Sequence, residues 1–148
     1  MASQDPYQQV IGCTICARVA RCGIFFRAKD PEAQRRWYSQ HLGLNTDEYG
    51  TNFAWRQADD PERMGYSQWS PFKSDTTYFE GDYLINYRVD DLDSLLDQLR
   101  ADGVEILGEV TEEDFGKFVH IRDPEGQRVE LWEPDDAEYE KILEGITN

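Results

Sequence analysis

Several things are scarce in this 148-residue chain, and each scarcity excludes something. No apolar run approaches the roughly 18 residues that a bilayer-crossing helix needs. The opening, MASQDPYQQ, has no basic segment followed by an apolar one, so it does not read as a signal peptide. Positive charge is short: 15 Lys and Arg stand against 30 Asp and Glu, a net charge of −15. Such a surface repels nucleic-acid phosphates and anionic membranes, which removes both as main partners. It draws in a small cationic ligand, although acidity also serves plain solubility. Cysteine is scarce and odd in number, Cys13, Cys16 and Cys22, which argues against a disulfide framework. Cys13-x-x-Cys16 has no second pair, and the only histidines, His41 and His120, are not at zinc-finger spacing. The cysteines therefore read as ordinary reduced thiols in or beside the first strand, and the protein as cytoplasmic.

What is present is a C-terminal hairpin. Asp123-Pro124-Glu125-Gly126 has turn chemistry at each step, because proline presets the first corner and glycine takes a positive φ without steric cost. Lys117–Ile121 and Gln127–Trp132 are its arms. In the second arm Val129 and Leu131 share one face, while Arg128, Glu130 and Trp132 share the other. The first face reads as core. The second is either an amphipathic outer strand or part of a site, since it sets a carboxylate between a guanidinium and an indole.

Earlier in the chain, Gly23–Ala28 reads as a strand, and Asp30-Pro31 as a helix start with an acidic cap and proline in the first turn. Ala33, Trp37, Tyr38, His41 and Leu42 recur at helical spacing and predict a buried stripe that stops at Gly43. Leu44–Tyr49, Asn52–Gln57 and Gly65–Ser70 are three candidate strands, and Pro71–Asp82 a linker. The pattern then restarts. Tyr83–Val89 is a strand, Asp91 a cap, and Leu92, Leu95, Leu96 and Leu99 a helical stripe ending at Gly103. Val104–Glu109 and the hairpin complete it.

The two halves superpose in sequence. Arg27 and Arg88, like Asp30 and Asp91, are 61 apart (88 − 27, 91 − 30); Trp69-Ser70-Pro71 falls on Trp132-Glu133-Pro134 at 63 (132 − 69). The chain is thus a tandem strand–helix–three-strand repeat: a leader at 1–21, modules at 22–71 and 83–134 forming one domain, and an acidic tail at 135–148. A lone unit buries one sheet face, so two are expected to join edge to edge and curl into a partly closed barrel with the helices outside. The concave side is then lined by Phe25 and Arg27, by Asn86 and Arg88, by Arg128, Glu130 and Trp132, and by Ser67 and Trp69. Trp55 joins them if its strand faces inward. Aromatics with a few charges suit a small-molecule cleft.

With this repeat, the segments GIFFRAKDPEAQRRWYSQHLGL, NYRVDDLDSLLDQLRADGV and DPEGQRVELWEP resemble the vicinal oxygen chelate superfamily of glyoxalases, extradiol dioxygenases and fosfomycin and bleomycin resistance proteins, over about residues 22–134. The resemblance implies an α+β fold of tandem βαβββ modules and a homodimer. In the metal-using members it implies ligands at positions matching Gly23, Ser67, Leu84 and Glu130, of which only Glu130 is a ligand type. A divalent ion here needs about three protein ligands. Two readings follow. The first is a metal-free, cofactor-free protein that binds a small organic molecule, as the bleomycin resistance group does, on the indoles of Trp69, Trp132 and Trp55. Glu130 then meets a basic group and Arg27 and Arg88 an anionic one, unless one of these arginines simply neutralises Glu130. The alternative is a lyase, isomerase or dioxygenase that recruits a metal through Glu130 or uses it as a metal-free base. Tyr139, Ile142 and Leu143 suit a short helix over the barrel or a dimer seam, or else the tail is a frayed acidic end.

Overall fold

A computed structural model describes residues 19–143. Cys13 and Cys16 lie outside the described residues, as does most of the expected leader. The described chain runs β1 (Val19–Ala28), α1 (Pro31–Leu42), β2 (Thr51–Arg56), β3 (Met64–Lys73), β4 (Tyr83–Val89), α2 (Leu92–Ala101), β5 (Ile106–Glu113), β6 (Gly116–Arg122), β7 (Arg128–Pro134) and α3 (Asp136–Ile142). Among the described residues seven strands form one mixed sheet in the order β2-β3-β1-β4-β7-β6-β5, which does not close on itself.

The centre of the sheet joins the two halves. β1 and β4 pair antiparallel, with Ile24 opposite Ile85 and Gly23 opposite Asn86. Each then has its own half's last strand on its outer side in parallel: β3 beside β1, β7 beside β4. The outer hairpins β2–β3 and β5–β6–β7 are antiparallel. The expected α+β architecture of paired modules is present with one strand fewer, because Leu44–Tyr49 is irregular. Its backbone is instead tied in a turn, where Asp47 Oδ1 accepts from the amides of Tyr49 and Gly50 at 2.8 and 2.9 Å. A side chain that offers the backbone such local bonds competes with a ladder.

Local signals formed both main helices. Asp30 Oδ1 accepts from the Ala33 amide at 2.9 Å and Asp91 Oδ1 from the Ser94 amide at 3.0 Å. These satisfy amides that a helix start otherwise leaves without partners. The α2 stripe is buried as expected: Leu92, Leu95 and Leu96 pack on Val89, Val119 and Leu131. The α1 stripe is not. No α1 residue is buried, and Trp37 and Leu42 are 52% and 59% exposed. Tyr38 alone of the pair reaches the sheet, 4.7 Å from the ring of Trp69, while Trp37 lies along the helix against Tyr38 and His41. Helical spacing specifies an apolar stripe but not how much sheet lies beneath it.

The C-terminal turn forms as its residues dictate. Gly126 takes φ 80°, its amide donates to Asp123 O at 3.0 Å, and Asp123 Oδ1 accepts from Glu125 and Gln127. Counting outward from this turn pairs Arg122 with Arg128, His120 with Glu130 and Phe118 with Trp132. Val129 and Leu131 face α2, and Glu130 and Trp132 the concave side. Among the described residues no helix is long and apolar enough to cross a membrane.

Candidate functional site

The concave side of the sheet encloses a cavity of about 720 Å³, within the range typical of small-molecule sites. Phe25, Asn86, Glu130 and Trp132 line it, as the sequence suggested. At its base Glu130 has no exposed surface at all. Burying a carboxylate this completely is costly unless hydrogen-bond donors replace the lost water. Three do. Asn86 Nδ2 donates to Oε1 at 2.6 Å, and both the Tyr78 hydroxyl and His120 Nε2, the latter at 2.8 Å, donate to Oε2.

Each donor is positioned differently. Asn86 sits opposite Glu130 in the parallel β4–β7 ladder, and His120 opposite it in the antiparallel β6–β7 ladder. Beyond His120, Arg128 Nη1 lies 3.1 Å from Nδ1, and Arg128 Nη2 reaches Glu80 at 3.1 Å. Tyr78 comes from the irregular segment between β3 and β4. Burial, and then the neighbouring charge of Glu130, hold its phenol well above the ordinary tyrosine value, so it stays a donor.

Two aromatic groups flank this carboxylate. On one side are Phe25, Phe72 and Tyr78, with ring centroids 5.4 to 6.4 Å apart. On the other, Phe118 stacks on Trp132 at 5.7 Å and 7°, and Trp132 meets Tyr139 edge-on at 4.8 Å. Four carboxylates line the cavity, Asp47, Glu109, Glu113 and Glu130; no lysine or arginine among the described residues does. The tail helix α3 closes one side. Tyr139 donates to Asn52 Oδ1 at 2.7 Å, Tyr66 to Glu140 at 3.2 Å, and Asp136 pairs with Arg88 at 2.5 Å.

Six other residues expected in the cleft are placed outside its lining. Arg27 clamps the segment between β3 and β4, donating to the carbonyls of Ser74, Thr76, Phe79 and Gly81 at 2.7 to 2.9 Å. Arg88 lies between the indoles of Trp55 and Trp132, 5.7 and 5.1 Å from their centroids. Neither arginine pairs with Glu130, whose partners are Asn86, Tyr78 and His120. Arg128 stands behind His120, as described. Trp55 folds over Gly65, where a Cβ would collide with the indole, and donates to Ser67 Oγ at 3.0 Å. Trp69 packs on Phe26 and Tyr38, on the helix side.

The error on β3 is one of register. Phe25 pairs with Ser70, and the corresponding Asn86 pairs with Glu130, so Ser70 rather than Ser67 is the counterpart of Glu130, at an offset of 60 (130 − 70). An offset of 63 reverses which face each side chain takes. The strand also runs on through Pro71 to Lys73. Proline is tolerated there because the β2 ladder stops at Thr51, opposite Trp69, leaving that side of β3 without a ladder partner among the described residues. Sequence reasoning misses His120, although counting out from the Asp123–Gln127 turn assigns it to Glu130. Tyr78 carries no sequence signal, since a loop position predicts no facing.

Of the positions implied for metal ligands, Gly23 and Leu84 offer no side-chain ligand atom and Ser67 Oγ accepts from the Trp55 indole; Ser70, which the register puts in Ser67's place, donates its Oγ to the carbonyl of Tyr49. Among the described residues no group of three or more His, Cys, Asp or Glu is placed to hold a metal ion.

Two half-modules joined through their first strands, with a cavity on the concave side, define an α+β fold of the vicinal oxygen chelate type. Residues 18–131 match the Glyoxalase/Bleomycin resistance protein/Dioxygenase superfamily, and the chain belongs to it. Among solved structures, it is similar to a variant of methylmalonyl-CoA epimerase from Streptomyces coelicolor in complex with 2-nitronate-propionyl-CoA (18% identity, 80% of this chain and 99% of that one, TM-score 0.60). It is similar also to the Mycobacterium tuberculosis methylmalonyl-CoA epimerase (18%, 86% and 95%, TM-score 0.55). A third is a structure described as NAD-dependent benzaldehyde dehydrogenase from Legionella pneumophila (15%, 78% and 100%, TM-score 0.52). At these identities the likeness concerns the fold alone. No curated protein matches the sequence.

Proposed function

We propose that this protein is a metal-independent binding member of its superfamily whose cavity takes a flat organic cation. The observation that carries this reading is the lining: aromatic rings on both sides of Glu130, four carboxylates, and, among the described residues, no lysine or arginine. Ring faces carry negative potential and attract cations, and a wall of one charge sign in a low-dielectric cleft concentrates ligands of the other. The net charge of −15 adds to the same field.

The donor set does not suit a resident divalent ion. Such a site needs about three protein ligands, and Glu130 with His120 supplies two, already bonded to each other. As a general base Glu130 would first have to lose one of its three donors, since a base must come within hydrogen-bond reach of the proton it takes.

The test is isothermal calorimetry with N-methylquinolinium, quinoline and quinoline-4-carboxylate at pH 7.5. The cation is expected to bind at least about tenfold more tightly than quinoline, a difference of about 1.4 kcal/mol, with the carboxylate weakest. Equal binding of quinoline, or tighter binding of the carboxylate, overturns the reading.

A further inference from the structure

Resting on the cation reading above, we propose that Tyr78 stands in for the ligand's own donor. An ammonium N–H displaces the phenol from Glu130 while a flat ring on the same molecule lies along Phe118 and Trp132. The ligand class is then an arylalkylamine, not simply any organic cation.

Glu130 borders the cavity but has no exposed surface, so a ligand that bonds to it must displace one of its donors. Asn86 and His120 are held within the ladders of β4 and β6, and His120 is braced further by Arg128. Tyr78 differs. It lies outside any strand or helix and is 42% exposed, yet its hydroxyl ends on the buried Oε2. The backbone around it is fixed on both sides by the Arg27 clamp on the carbonyls of Ser74, Thr76, Phe79 and Gly81, and by the side chain of Phe79, which is 2% exposed. Its ring lies against Phe25, Phe72 and His120, so turning about Cα–Cβ exchanges those contacts for the ligand while the clamped backbone stays in place.

The register fixes the distance to the ring. His120 pairs with Glu130, and Phe118 with Trp132, two residues further along the same two strands. Two residues of antiparallel strand span about 6.8 Å. A molecule with its nitrogen roughly that far from an aromatic ring spans both positions. The nitrogen must carry a proton to donate, because a carboxylate oxygen only accepts.

Calorimetry on the full chain at pH 7.5 separates the possibilities with three probes: tryptamine, N,N,N-trimethyltryptammonium and 3-ethylindole. Tryptamine is expected to bind at least about tenfold more tightly than the trimethyl compound, the order of one hydrogen bond to a charged group. Tyr78→Phe removes the competing hydroxyl and is expected to tighten tryptamine about tenfold, a larger gain than for 3-ethylindole. Equal affinities for tryptamine and its trimethyl analogue in the unaltered protein overturn the proposal, as does weaker or unchanged tryptamine binding by the variant. Failure here leaves the cation preference itself standing, since N-methylquinolinium has no N–H to donate.

Discussion

Arg128 Nη1 lies 3.1 Å from Nδ1 of His120, and because a guanidinium nitrogen only donates, that ring nitrogen has to accept. The ring proton is thereby assigned to Nε2, which faces Glu130 Oε2 at 2.8 Å. Arg128 and the Glu130 carboxylate thus require the same tautomer from opposite sides of the ring. Long-range ¹H–¹⁵N spectra of the imidazole should show the Nε2–H tautomer in the unaltered protein. In Arg128→Leu the Nε2–H form should persist, held by Glu130, with the Nδ1 resonance shifted by the loss of its donor. An Nδ1–H ring in the unaltered protein contradicts the arrangement.

Glu130→Gln keeps the shape of the side chain but turns one acceptor oxygen into a donor among three converging donors. Leaving a buried donor without an acceptor costs about 1–3 kcal/mol. Urea unfolding should show a lower midpoint with an unchanged slope. A variant as stable as the parent would mean that the buried carboxylate is not organising its neighbours.

Alkaline pH should weaken the fold through Tyr78 and Tyr139. Both phenols are held above their ordinary value near 10, chiefly by burial. The unfolded chain releases these protons first, so the stability they contribute is intact below about pH 10 and declines as pH rises toward the folded-state values. Urea midpoints measured from pH 8 to 11 should be level at first and then fall. In Tyr78→Phe the fall should be shallower; an identical profile would assign it to other groups.

Tyr139→Phe removes the donor that Asn52 Oδ1 receives in a buried bond of 2.7 Å between α3 and β2. The expected cost is about 1–2 kcal/mol. Because α3 also covers one side of the cavity, the variant should bind more of a hydrophobic reporter dye such as ANS than the parent does. Unchanged stability and dye binding would show that α3 is held by its other contacts, the Asp136–Arg88 pair foremost.

Divalent ions provide a separate check. Mn²⁺, Ni²⁺ and Zn²⁺ added in thermal unfolding should leave the midpoint where it is, because an ion that binds only the folded state raises it by mass action. A rise with any one of them would indicate ligands that the described residues do not reveal.

Much of the fold was legible from local chemistry. Asp30, Asp91, Gly43 and the Asp123–Gly126 turn set helix starts, a helix stop and a hairpin through bonds made within a few residues of themselves. The α2 leucines and the alternation of Val129, Glu130, Leu131 and Trp132 were equally readable, since period fixes facing once an element is placed. Trp69 and Ser67 were misplaced because facing along β3 depends on a register between distant strands, and a repeated Trp-x-Pro triplet was a poor guide to it. Trp37 and Leu42 show the same limit: spacing describes a stripe and leaves its partner undefined.

By itself the sequence determined two related halves, the strand that carries Glu130 and Trp132, and the acidic balance of the surface. Tertiary structure alone decided who keeps company with that carboxylate: Asn86 from 44 positions upstream, Tyr78 from 52, and His120 from across a hairpin. It also sent Arg27 to a loop and Arg88 to two indoles. The physical reason is that hydrogen bonds between distant segments depend on how strands align across the sheet, and that alignment is set by the packing of the whole chain, while caps and turns are settled among neighbours.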